Sequence, residues 1–195
     1  MARQPDPGLE NRILEAARRL WKKGAGRALT MRAVARAART NTPAVYRRFR
    51  HRDDILRALL QQTRKEWLGL VESSSSVEEA CERYLDYGLS HPHEYELYYL
   101  HEYELMFSAR TTHGATLTQT IKHERPVVEL MKGKLAAQLG GTPDEHTRLE
   151  LALWALLHGA VMLLIRKTIR AQHAEEIRSI CRESVAMLLR KAARN

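Results

Sequence analysis

Apolar residues in the first third of the chain recur with the period of an α-helix. Ile13, Leu14, Ala17, Leu20 and Trp21 fall at i, i+1, i+4, i+7 and i+8, one face of a helix over about 9–23 that Gly24 is expected to end. Thr30 then precedes Met31, Val34, Ala35 and Ala38, the inward stripe of a short helix whose first-turn N–H groups the threonine hydroxyl can accept. Asn41 is a second N-cap, with Pro43 among the first helical positions where a missing N–H does no harm, so a third helix is predicted over about 42–49. A fourth begins at Arg52-Asp53-Asp54, two acids where the helix dipole favours them, and carries Ile55, Leu56, Leu59, Leu60 and Trp67 to about Glu72.

The same period continues, and no segment alternates convincingly like a strand. Val77, Ala80, Cys81, Tyr84, Leu85 and Gly88 make a fifth helix; Pro92 interrupts it, and the pattern resumes over about 93–107. A polar linker, SARTTHGAT, precedes a helix over about 117–139, where Pro126 predicts a kink or break. In GGTPDE, Thr142 and Pro143 restart a helix that reaches about Arg170, and a last one runs over about 174–192. The expectation is an all-α fold of about nine helices: a disordered tail over 1–8, a head over 9–55 and a larger helical domain over 56–195. The serine run at 73–76 is the only low-complexity stretch.

Charge separates the two parts. Residues 1–65 hold 17 Lys/Arg against 5 Asp/Glu, a net +12, whereas the rest of the chain is slightly acidic and brings the total to +9. Clustered cations of this kind point to a polyanion, usually nucleic acid and less often an anionic membrane. Two short helices about three residues apart, the second capped and basic, match a helix-turn-helix. On a helix begun at Thr42, Val45 and Phe49 share the inward face. Thr42, Pro43, Tyr46, Arg47 and Arg50 lie away from it, where side chains can meet base edges and phosphates.

Over residues 9–60 the chain resembles the TetR-type transcriptional repressors. The resemblance is carried by ILEAARRLW, a glycine, LTMRAVARAA, the T-P-A-V-Y-R-R-F core, and acids before ILRALL. It implies a homodimeric repressor whose third helix reads the major groove of a double-stranded operator and which a small-molecule effector releases. By position, Thr42, Pro43, Ala44, Tyr46 and Arg47 would face DNA, with Asn41 at the head of the same helix; Thr30, Arg48 and Arg52 would meet the backbone. Arg39 stands where the family has its turn glycine and Thr40 where it has a hydrophobe; Arg39 would add a phosphate contact.

The stretch LALWALLHGAVMLLI at 151–165 is apolar on every side except His158, and its fifteen residues fall short of the roughly 20 that span a membrane. Such a helix is buried, here against the domain core and a second subunit. With the last helix it predicts a four-helix dimer interface through Trp154, Val161, Ile177, Val185 and Leu188. Trp154, His158 and Gly159 also resemble the W-x-x-x-H-G pattern of one TetR subgroup.

For a ligand, the aromatic run HPHEYELYYLHEYELMF aligns Tyr95, Tyr99 and Glu102. With Trp67, Tyr84 and Tyr103 these could wall a site for a hydrophobic and even cationic molecule. The competing reading packs the same tyrosines in the core. Neither the histidines nor Cys81 and Cys181 show a metal or disulfide spacing, no catalytic motif occurs, and MARQPDPG has no apolar signal segment. The expectation is a cytoplasmic, non-enzymatic regulator without metal or cofactor; the alternatives are a membrane-surface module and a small helical enzyme.

Overall fold

A computed structural model of the protein describes residues 6–101 and 126–194. Among them are nine α-helices and no strand: α1 (Leu9–Ala28), α2 (Met31–Ala37), α3 (Thr42–Arg48), α4 (Arg52–Glu72), α5 (Val77–Ser90), α6 (Pro92–Glu96), α7 (Pro126–Leu139), α8 (Thr147–Ile165) and α9 (Ala174–Ala192). The chain divides into two compact units. The first takes residues up to Arg64 and the segment that opens at His93; the second takes Lys65–Pro92 and the C-terminal helices. The division between the units falls within α4, after Arg64.

In the first unit, Ile13, Ala17, Trp21, Val34, Val45, Phe49 and Ile55 close one apolar core, which Leu97 and Tyr98 join. Gly24 does not end α1, which continues to Ala28. A glycine inside a helix costs only about 1 kcal/mol, and carrying Leu29 into the core, where it is 1% exposed, outweighs that. Residues 6–8 turn into the start of α1. Asp6 accepts from the Gly8 N–H at 3.0 Å, and the Arg12 guanidinium beside it holds its carboxyl below the usual range.

The turn between α2 and α3 has the geometry of a helix terminus closed by a left-handed residue. Thr40 N–H reaches back to the Ala35 carbonyl at 2.9 Å and Arg39 N–H to Arg36 at 3.2 Å, while Arg39 itself sits at φ 54°. A residue with a Cβ pays roughly 1–2 kcal/mol there, and glycine's greater freedom in the unfolded chain returns about 0.5–1 of that. Arg39→Gly is therefore expected to stabilise the fold by up to about 1 kcal/mol, read as a higher denaturant midpoint. A lower midpoint would mean that the arginine side chain holds the turn.

In the second unit, α5, α7, α8 and α9 pack through Leu85, Leu135, Leu153, Leu157, Val161 and Val185. The serine run is an ordered cap. The hydroxyls of Ser73 and Ser74 donate to the carbonyls of Gly69 and Leu70, both at 2.7 Å, and Ser76 accepts from Glu79 N–H at the start of α5. Glu79 accepts from the hydroxyl and the N–H of Ser75, both at 2.6 Å, and these bonds with Arg83 lower its pKa from 4.5 to about 2. A depressed carboxyl stabilises the fold above its unfolded pKa and ceases to as pH falls through the folded one. Glu79→Gln should accordingly flatten the loss of stability between pH 4.5 and about 2, measured as melting temperature against pH. An unchanged acid limb would remove Glu79 from the acid response.

Lys132 is buried with only 1% of its side chain exposed. Burial pulls its pKa down, but Glu129 at 2.9 Å and Asp144 at 3.0 Å more than offset this and hold the ammonium above its ordinary value. Glu145 reaches back to the Thr142 N–H at 3.3 Å, and the helix that follows ends at Ile165 rather than near Arg170, because Lys167 turns left-handed at φ 57°. The continuous helical stretch Pro143–Ile165 has 23 residues, and an 18-residue window within it has a mean hydropathy of 1.7, so length does not set it apart from a membrane span as the fifteen-residue count suggested. What distinguishes it is use: Leu153, Leu157, Ala160 and Val161 are buried within the unit, α8 packs on α5 and α9, and Glu150 is buried on the same helix.

Candidate DNA-binding face

The residues expected to meet DNA divide cleanly by what the local fold asks of them. Asn41 accepts the Ala44 N–H at 2.8 Å and Thr30 accepts the Ala33 N–H at 3.1 Å, so both side chains are spent as helix caps. Their helices are thereby begun at fixed residues. Val45 and Phe49 are buried beneath α3, each contributing about 1.5–3 kcal/mol, which fixes the rotation of the helix about its axis. Ala44 goes with them. At 4% exposure it packs inward, so the expectation that it faces DNA is corrected.

What remains outward is a narrow set. Tyr46 is 51% exposed; Pro43, Arg47, Arg50 and Arg52 are exposed, and Thr42 is half-buried at the helix start. Arg48 is exposed and donates to the Asp6 carbonyl at 3.2 Å, tying the residues just before α1 to α3. Arg39 is exposed at the turn. Asp54 accepts the His51 N–H at 2.9 Å, which lowers its carboxyl pKa and anchors the first turn of α4 next to Arg52.

The aromatic candidates fall into two groups. Trp67, 2% exposed, meets Tyr84 edge-on at 4.5 Å and Tyr87 at 5.2 Å in the second unit, where the Tyr87 hydroxyl donates to Glu66 at 2.8 Å. Tyr95, fully buried, lies against Tyr99 at 4.6 Å in the first unit, and Tyr99 meets Tyr98 edge-on at 5.0 Å. Glu102 and Tyr103 lie outside the described residues.

Residues 13–59 match the family described as bacterial regulatory proteins, tetR family, and residues 77–188 match the tetracyclin repressor-like C-terminal domain. The chain belongs to the TetR family. It is a DNA-binding transcription regulator with a helix-turn-helix head. No curated protein matches it. Among solved structures it is similar to a protein of unknown function from Rhodococcus sp. RHA1, with a TM-score of 0.71 and 18% identity over 99% of this chain and 100% of that one. It is similar also to the multidrug binding protein EbrR complexed with ethidium, TM-score 0.65 and 21% identity over 94% and 99% of the two chains. A TetR-family transcriptional regulator from Streptomyces coelicolor gives a TM-score of 0.62 and 22% identity over 94% and 99%. At these identities the likeness is one of fold.

The C-terminal helices of this TetR-family chain correct part of the expected interface. Val161 and Val185 are buried inside the subunit, at 0% and 3% exposure, and so cannot form a surface. Trp154, Ile177 and Leu188 are half-buried, with the Trp154 and His158 rings 6.1 Å apart. The large apolar side chains left open are Leu163 on α8 and Ile180 and Met187 on α9. Ile180 and Met187 are an i, i+7 pair that the sequence contained, but one inward stripe of leucines and valines masked it.

Proposed function

We propose that the protein is a homodimeric repressor that holds a palindromic operator with one α3 in each half-site and leaves it when a small hydrophobic ligand binds. The observation that carries the DNA half of this reading is the split of α3 into a buried face of Ala44, Val45 and Phe49 and an exposed one of Pro43, Tyr46 and Arg47. The open Leu163, Ile180 and Met187 support the dimer, since apolar side chains at helical spacing on two C-terminal helices are the material of a symmetric helical interface. Ligand control is supported by α4, one unbroken helix that begins at Arg52 and carries Trp67 in its last turns. A ligand that shifts this helix differently in two states would change DNA affinity; one that binds both states equally would not.

For an effector site within the second unit the reading keeps Trp67 and Tyr84, and the complex of EbrR with ethidium makes ethidium a reasonable first probe. The family and the absence of a catalytic motif support a cytoplasmic regulator in place of an enzyme. A random-oligonucleotide selection with the full chain tests the class. Recovery of a palindrome with half-sites about one helical turn, or a multiple of it, apart is expected. Sequences without any common element would overturn the reading.

A further inference from the structure

The second unit contains a groove of about 560 Å³ where the end of α5, the end of α8 and the start of α9 meet. That volume falls in the range of roughly 300–1,000 Å³ typical of small-molecule sites. Leu89, Pro92, Leu164, Ile165 and Ala174 supply apolar wall, and Lys167 and Arg170 are among the residues that line it. None of Trp67, Tyr84, Tyr95 or Tyr99 lines it.

Its charges are unequal in what they are free to do. Arg178 also lines the groove, but it is paired with Asp86 and with Glu175, the latter at 3.3 Å, so the one carboxylate in the lining is already matched. Lys167 and Arg170 are exposed and have no ion-pair partner among the described residues. The carbonyls that end α8 do not supply one: those of Met162, Leu163 and Leu164 accept from the N–H groups of Arg166, Ile169 and Lys167. The groove is also separate from the open apolar face of α9. Met187 stands about two and a half turns beyond Arg178, on the opposite side of the helix.

An apolar wall that includes two uncommitted cations in its lining is complementary to a molecule with an apolar body and one anionic end. We propose that this groove binds a free amphiphilic carboxylate, its chain against Leu89, Leu164 and Ile165 and its carboxylate at Lys167 and Arg170. Burial of the chain supplies affinity, and the charge-assisted bonds select the headgroup. Pro92 is a wall residue, and the next two residues are fastened to α1: the Trp21 indole N–H donates to the His93 carbonyl at 2.9 Å, and Lys22 pairs with the buried Glu94 at 2.8 Å. Any consequence for DNA rests on the ligand-release reading above; the binding step does not.

The test is calorimetric titration of the full chain, without DNA, using decanoate, 1-decanol and decyltrimethylammonium. Saturable decanoate binding is expected, with the alcohol and the cation each weaker by about tenfold or more. Lys167→Gln with Arg170→Gln, both exposed positions, should weaken decanoate about tenfold and leave 1-decanol unchanged. Ala174→Trp should fill the groove and remove binding of both. The proposal is overturned if decanoate does not saturate or if the double variant binds it as well as the parent does. Because no DNA is present, such a failure leaves the operator reading standing. A chain that binds decanoate but selects no operator overturns the repressor reading alone.

Discussion

Ile180→Arg and Met187→Arg are each expected to turn a dimer into a monomer while leaving the subunit folded. Ile180 is 48% and Met187 60% exposed in the single chain, so a guanidinium at either position is hydrated in the monomer and costs the subunit little. Across a symmetric interface the same charge appears twice, unpaired and cut off from water, at about 3–5 kcal/mol for each copy. Val185→Arg is the contrasting variant. At 3% exposure its charge would enter the interior of the subunit, so loss of folding rather than dissociation is expected. Sedimentation at micromolar concentration separates the cases, and an unchanged dimer in both surface variants would place the interface elsewhere. Linking two half-site readers is worth about 10²–10⁴ in affinity, so the monomers should lose operator binding by about that factor.

Arg47→Ala is expected to cost about 1–3 kcal/mol on the selected operator and far less on random DNA, since a side chain reading a base edge discriminates where a phosphate contact does not. The structure favours this variant as a clean probe. Arg47 is exposed on α3, and the helix is held from below by Val45 and Phe49 and at its start by the Asn41 cap, none of which the substitution touches. Arg52→Ala should behave differently, weakening all sequences alike and reducing the salt dependence by about one unit of slope. Equal losses for Arg47→Ala on operator and random DNA would move it to the backbone set. Retention of the full salt slope by Arg52→Ala would take that residue off the DNA.

Within the described residues, the sequence by itself determined the order of helices α1 to α5, α8 and α9 and, Ala44 apart, the face of α3 that meets solvent. These follow from local chemistry: Thr30, Asn41 and Ser76 are short acceptors that can satisfy N–H groups three residues on, and Val45 and Phe49 lie four apart, so that one side of the helix must be buried. The basic head was legible for the same reason, because charge is additive along the chain.

Tertiary structure decided everything that turns on competition between a weak local preference and a distant contact. Gly24 is a local helix breaker of about 1 kcal/mol, and the burial of Leu29 overrode it. Ala44 is small enough to sit on either side of its helix, and packing put it inside. On α8, apolar all round, no pattern says which face turns inward; only contact with α5 and α9 buried Val161 and left Leu163 open. The groove beside Lys167 and Arg170 is the extreme case. Its walls come from Leu89, Leu164 and Ala174, on three different helices, and a concave surface exists only once separate helices have packed.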